Sequence, residues 1–315
     1  MERPRPHEES ARRIGPYRLI TRLDPPAPHQ GHVPCRRFVA RSADGDRTVL
    51  LSAPLPGADP ARFLTEAQAG QRLMGPWFAP VTEVSDPTGS AAAPAPASAP
   101  APAPWYATPY LPVLPLPVAL AVHGGPLPEG TVRAIGAALA EALAAAHAQG
   151  VTHAGVSPAA VLLTADGPRL TCFGSVRAAA PDGQPRAGLP GLDPGALAPE
   201  QASGGRPRPA GDVYALGAVL AYAATGHTVP ERSELPPALR QSVSGCLARD
   251  PANRPTAAEL LTALAPPTPH ETVLSSAGSL LAPGWLPGRI VAALARQSSE
   301  LLAAELPYSS QNSGN

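Results

Sequence analysis

The pattern of apolar and polar positions changes character several times along the chain. FVARSADGDRTVLLSAP (38–54) places two β-rich runs on either side of Asp44-Gly45, which predicts a hairpin. DPARFLTEAQAGQRLM (59–74) has Asp59 as a candidate helix cap and Phe63, Ala67, Leu73 and Met74 on one helical pattern. GPWFAPVTEV (75–84) reads as a strand. From Pro126 the spacing turns helical again, with Val132, Ile135, Leu139 and Leu143 on one face and Gly150 as the stop signal. LPGRIVAALARQSSELLAAEL (286–306) sets Ile290, Leu294, Leu301 and Leu302 at helical spacing with charges between them. That predicts a helix packed on the large core, and a partner-binding helix has the same periodicity.

Two stretches carry no such pattern. Residues 1–13, MERPRPHEESARR, are charged and proline-bearing and are expected to be disordered. Residues 90–104 are an Ala/Pro run, in which repeated proline favours extended polyproline II and excludes a helix or central strand. It reads as an inserted loop, with a ligand for an aromatic-groove domain as the sharper alternative.

Composition narrows the chemistry. The chain has 315 residues, and its 24 basic residues balance 24 acidic ones, so no strong field recruits nucleic acid or an anionic membrane. All the basic residues are arginine, which excludes any lysine-based phosphate clamp or Schiff base. Cys35, Cys172 and Cys246 are far apart in sequence and form no C-x-x-C, which argues against zinc or a disulfide framework and suits a reducing, cytoplasmic setting. No stretch has the length and apolarity of a membrane span, and the N-terminus lacks a signal-peptide core.

HAQGVTHAGVSPAAVLLTADGPRLTCFG (147–174) resembles the catalytic heart of bacterial eukaryotic-like serine/threonine protein kinases, in which H-R-D-L-K-P-x-N-V-L-L precedes D-F-G. His153, Pro158, Val161 to Leu163, Phe173 and Gly174 match the frame. Ala198-Pro199-Glu200 matches A-P-E, GDVYALG (211–217) matches S-D-V-Y-S-L-G, and DPANRP (250–255) matches D-P-x-x-R-P. The resemblance implies an α+β, protein-kinase-like two-lobed fold: a β-rich small lobe over 14–108 with the 90–104 insertion, a helical large lobe over 113–265, and a linker and helix over 266–315. It also implies that Asp212 fixes the catalytic-loop backbone, that Arg254 pairs with Glu200, and that His153 packs on Phe173.

The same alignment of motifs replaces the reacting groups. Ser52 stands for the phosphate-orienting Lys, Gly155 for the catalytic Asp, Ala160 for the metal-binding Asn and Cys172 for the metal-binding Asp. Ala154 takes the place of the motif's Arg, and no Ser, Thr or Tyr lies between Val176 and Ala198 for activating phosphorylation. DPPAPHQGHVPC (24–35) replaces the glycine-rich loop, keeps Gly31 alone, and puts prolines where phosphate cradling needs N–H groups. Leu50 adds bulk beside the adenine position, and Glu66, lacking its Lys, is expected to be solvated or paired with an Arg. A nucleotide pocket could draw on Leu50, Glu66, Pro109, Leu111 and Leu162, with backbone groups near Pro109 and Leu111 reading adenine. No catalytic residue and no metal site are expected, and ATP without Mg²⁺ is the candidate cofactor. His147 and His153 are expected to be structural. The leading expectation is a pseudokinase that works as a signalling scaffold or regulator through a protein partner, an active kinase being a candidate. The alternative is an active serine/threonine kinase with a non-standard site that recruits Asp166, Asp182 or Asp193.

Overall fold

The computed structural model describes residues 13–24, 32–86, 103–265 and 277–305. Residues 1–12 of the N-terminal lead, Gly31 and nearly all of the Ala/Pro run and of the linker lie outside them, whereas Arg13, expected to be disordered with the lead, lies in the first strand and pairs with Arg18.

The small lobe is an antiparallel sheet built from β1 (Arg13–Ile14), β2 (Tyr17–Arg22), β3 (Arg36–Ser42), β4 (Thr48–Ala53), β5 (Glu83–Val84) and β6 (Tyr106–Pro109), in the order β1-β2-β3-β4-β6-β5. The expected hairpin is β3–β4, with Gly45 at φ 85° in its turn. One sheet face buries Tyr17, Phe38, Leu51 and Trp105 together, the Tyr17 and Trp105 rings meeting edge to face at 5.3 Å. Against the sheet lies α1 (Pro60–Gly70), whose cap is Asp59: its carboxylate accepts from the Ala61 and Arg62 N–H groups.

Two expectations in this lobe are corrected. The helix ends at Gly70, so Leu73 and Met74 leave its pattern and Met74 is 78% exposed. Gly70 and Gly75 make this stretch a poor helix. The strand expected over 75–84 shrinks to Glu83–Val84, because Pro76 and Pro80 cannot donate to a ladder.

The chain crosses to the large lobe through β7 (Leu114–Pro115) and α2 (Leu116–His123). Then comes α3 (Glu129–Ala148), buried around most of its circumference, with Gly150 in the left-handed conformation just past its end. Its alanines and glycine permit close approach: a Cβ on Gly136 would sit 2.7 Å from Leu264 and 2.8 Å from Leu220. Those partners belong to α8 (Ala257–Leu264) and α6 (Pro209–Thr225), and α7 (Pro237–Cys246) packs on α6. β8 (Val161–Thr164) and β9 (Gly167–Leu170) complete a small sheet with β7, and α4 (Ser175–Ala179) and α5 (Pro199–Ala202) flank the segment between them.

The last element, α9 (Gly288–Glu305), packs on α2. Ile290, Leu294 and Leu301 are buried, whereas Leu302, expected on the same face, is 62% exposed. Gln297 Oε1 accepts from the Val113 N–H at 2.8 Å, which ties this helix to the connection between the lobes. Among the described residues no helix is long and apolar enough to cross a membrane.

Candidate functional site: the cleft between the lobes

The loop from Val151 to Ala160 is held from below by one carboxylate. Asp212, on α6 and 1% exposed, accepts from the His153 and Ala154 N–H groups at 2.7 Å each and lies 3.0 Å from His147 Nε2. His147 thus has a structural partner, as expected. His153 is fully buried, meets Phe173 edge to face at 5.5 Å and stacks on Phe78 at 6.1 Å. Neither of its ring nitrogens has a hydrogen-bond partner, and burial pushes its pKa down to about 4. It is a neutral packing ring.

A second clamp joins α5 to the chain before α8. Arg254 Nη1 and Nη2 donate to the two Glu200 oxygens at 2.7 and 2.9 Å, and the guanidinium also reaches the Ala248, Arg249 and Ala210 carbonyls. Burial raises and the Arg254 bonds lower the Glu200 pKa, and the bonds win.

Ser52, Gly155, Ala160 and Cys172, the positions compared with the kinase motifs, are all buried. Ser52 is buried on β4, directly opposite Arg37 on β3. Opposed residues of an antiparallel pair project to the same sheet face, so Arg37 and Ser52 share that face. The Arg37 guanidinium is fully buried, donates to both Asp24 oxygens at 2.7 and 2.5 Å, and donates to the Ala159 carbonyl at 2.8 Å. It therefore spans from the small lobe to the residue before Ala160. Sequence reading missed Arg37 and Asp24: the strand signal begins at Phe38, and nothing in RRFVAR tells which arginine turns inward.

Gly155 is packed against the segment that follows β9. A Cβ on Gly155 would lie 2.0 Å from the Cys172 carbonyl oxygen and 2.9 Å from Ser175 Oγ. Cys172 itself holds φ 61°, a left-handed conformation uncommon outside glycine, and Ala154 holds φ 51°. No carboxylate can be restored at 155 without moving this backbone.

Cys172 is brought to Cys35, with the sulfurs 4.0 Å apart across 137 residues of sequence. Distance in sequence concealed this pair, and both thiols are free. The hydrogen bond from Cys35 holds the Cys172 thiol below its ordinary pKa against burial, assisted by the Arg37 guanidinium and Thr171. The same pairing, with burial, pushes Cys35 up.

Glu66 is paired with an arginine, one of its two expected states. Arg177 Nε donates to its Oε2 at 2.8 Å, Arg177 also covers the Phe173 ring at 4.9 Å, and its Nη1 reaches the Thr152 carbonyl. Burial raises the Glu66 pKa, and Arg177 works against this. The five residues considered for a nucleotide pocket do not form one cavity. Leu50, Pro109, Leu111 and Leu162 line a cavity of about 130 Å³ at the interlobe connection. Leu50 and Leu162 also pack with Leu23 and Val113 in a closed apolar cluster. Glu66 instead faces a separate cavity of about 470 Å³ with Cys35, Phe63, Tyr106, Cys172 and Phe173.

The candidate carboxylates are likewise dispersed. Asp182 pairs with Arg186 at 2.8 Å, and Asp193 caps its own turn by accepting from the Gly195 and Ala196 N–H groups. Asp166 sits in the β8–β9 turn. Among the described residues no three His, Cys, Asp or Glu side chains are close enough to hold a metal ion. An alanine and a thiol at the two metal-ligand positions do not fit Mg²⁺, which takes hard oxygen donors.

No family model matches the sequence. Individual relatives do match. The chain is 36% identical over 274 residues to PkwA of Thermomonospora curvata, named a probable serine/threonine-protein kinase, covering 80% of this chain and 34% of that protein. It is 32% identical over 306 residues to the serine/threonine-protein kinase AfsK of Streptomyces coelicolor, covering 90% of this chain and 35% of that protein. The chain belongs to the bacterial serine/threonine protein kinase family. It spans about a third of the length of these kinases. Among solved structures, the kinase domain of Mycobacterium tuberculosis PknI aligns at TM-score 0.57 and 24% identity over 80% of this chain and 95% of that one. That likeness shows the kinase-like two-lobed fold. Within the kinase frame, the architectural contacts expected of Asp212, Glu200, Arg254, His153 and Phe173 are all present.

Proposed function

We propose that this kinase-family chain is a pseudokinase: a domain that regulates or scaffolds signalling through protein contacts rather than by transferring phosphate. The observation that carries this reading is Gly155. The position compared with the catalytic carboxylate is packed so closely against the Cys172 carbonyl that a side chain there would force the backbone to shift. Phosphoryl transfer depends on positioning a nucleophile and neutralising phosphate charge. The chain offers neither a carboxylate at 155 nor oxygen ligands at 160 and 172. The intact Asp212 and Glu200–Arg254 clamps support a retained large-lobe surface on which a protein partner, such as an active kinase, would dock. A cytoplasmic location is part of the same proposal.

One observation favours the alternative, an active kinase with a non-standard site. Arg37 supplies a buried cation on the same sheet face as Ser52. It is committed to Asp24 and the Ala159 carbonyl, so a nucleotide would have to displace one of them.

Two measurements on the full chain test the proposal together. Labelled ATP should transfer no more phosphate to the chain or to a generic acceptor protein than it does with an Asp212→Ala variant. Melting temperature should show no Mg²⁺-dependent rise with ATP or ADP, since a ligand stabilises the native state only if it binds there. A rise indifferent to Mg²⁺ would fit a nucleotide-sensing pseudokinase. Mg²⁺-dependent stabilisation with phosphate transfer above the control would overturn the reading.

A further inference from the structure

We propose that Cys35 and Cys172 form an oxidisable pair that peroxide converts to a disulfide linking the small lobe to the segment after β9. Three observations carry it. The sulfurs are already 4.0 Å apart, so closing to the length of an S–S bond, about 2 Å, asks for a local side-chain adjustment. Both cysteines line the same cavity of about 470 Å³, which gives a small oxidant a route to side chains that are otherwise only 3% and 5% exposed. The fully buried Arg37 guanidinium lies in the same region, and a fixed cation favours the thiolate over the thiol.

The chemistry balances with hydrogen peroxide as the oxidant. The Cys172 thiolate attacks one peroxide oxygen: an S–O bond forms, the O–O bond breaks, and the departing hydroxide takes up a proton to become water. The sulfur of Cys172 is oxidised by two electrons and the peroxide is reduced by two. The Cys35 sulfur then attacks the sulfenic sulfur, forming the S–S bond and breaking the S–O bond. The Cys35 proton leaves with the hydroxyl group as a second water. A thiol reductant reverses the reaction by exchange. The pair is thus suited to a reducing compartment with oxidant pulses, where disulfides are transient and sensing rather than structural.

The consequence is mechanical. The bond would close a loop across 137 residues and join the strand entry of the small lobe to the cleft floor of the large one. Relative motion of the lobes would be restricted, and so would access to the cavity that both thiols border. The proposal does not depend on whether the chain transfers phosphate, and its test reads sulfur chemistry alone.

The test is a peptide map of the full-length protein, reduced and then exposed to a small molar excess of hydrogen peroxide. Remaining thiols are capped with N-ethylmaleimide before digestion without reductant. Two of the three thiols should disappear, a Cys35–Cys172 linked peptide should account for them, and Cys246 should carry the cap. The oxidised form should melt higher than the reduced form, and dithiothreitol should restore the lower transition. In a Cys35→Ser variant the linked peptide should vanish and a dimedone adduct should accumulate on Cys172. Linkage to Cys246, direct conversion of Cys172 to sulfinic acid in the unmutated chain, or three unreacted thiols would each overturn the proposal. Should the variant fold poorly, the map of the unmutated protein decides alone.

Discussion

Arg37 and Ser52 face each other across the β3–β4 ladder, and the charge that the kinase frame places on β4 is found one strand over, bonded to Asp24 and to the backbone of the catalytic loop. A buried pair of this kind is costly to break from one side because the remaining charge loses its partner. Arg37→Met should therefore destabilise the protein by about 3–5 kcal/mol. Arg37→Met combined with Asp24→Leu should recover a large part of that loss, giving a coupling energy well above the additive expectation. Urea unfolding of the four proteins in the cycle measures it, and strictly additive changes would show that the pair is not a unit.

Asp212 anchors the loop through three contacts, so Asp212→Ala leaves the His153 and Ala154 N–H groups buried without acceptors. Each such orphan costs about 1–3 kcal/mol. The expected outcome is a loss of roughly 2–6 kcal/mol in stability from these two orphans together. Faster amide exchange should be concentrated at His153 and Ala154. Uniform acceleration across α3 and α6 instead would mean that the anchor supports the whole lobe rather than this loop.

His153 makes stability depend on pH with a definite sign. Its folded pKa is depressed to about 4, so the unfolded chain binds the proton first on acidification. Its contribution is complete above about pH 6.5, the ordinary histidine value, and is lost as pH falls from there toward 4. Between pH 7 and 5 this one ring should remove roughly 2 kcal/mol. His153→Phe, which keeps an aromatic ring between Phe78 and Phe173, should flatten that part of the stability–pH curve; an unchanged slope would assign it to other groups.

The terminal helix α9 buries Ile290 completely against the large lobe. Ile290→Asp places a charge in an apolar contact and should detach the helix, costing several kcal/mol by the unpaired-charge mechanism. Near-ultraviolet circular dichroism at Trp285, which donates to the Ala165 carbonyl, should report the release. Retention of that signal would show that Trp285 is held independently of the helix.

Much of the architecture was legible from local patterns. The turn at Asp44-Gly45, the Asp59 cap, the Gly150 stop and the helical spacing of Val132 to Leu143 act within a few residues, where backbone conformation and side-chain period suffice. Where local signals conflicted, as around Gly70 to Pro80, the expected elements were too long. The motifs also carried Glu200–Arg254 and Asp212 correctly, because their residue types and order are specific. Distant pairings that no motif carries were out of reach. Nothing in sequence says that Arg37 rather than Arg36 turns inward, that Glu66 finds Arg177, or that Cys35 and Cys172 meet.

The sequence by itself determined which groups are absent: the chain has no lysine, and Gly155, Ala160 and Cys172 carry no side-chain carboxylate or amide, so no folding event can supply one from those residues. Only the tertiary structure decided what surrounds those residues: a guanidinium, a thiol pair and a carbonyl packed against a glycine. Composition is covalent and survives any conformation, whereas proximity comes from packing two lobes together, a property of the whole chain rather than of any window along it.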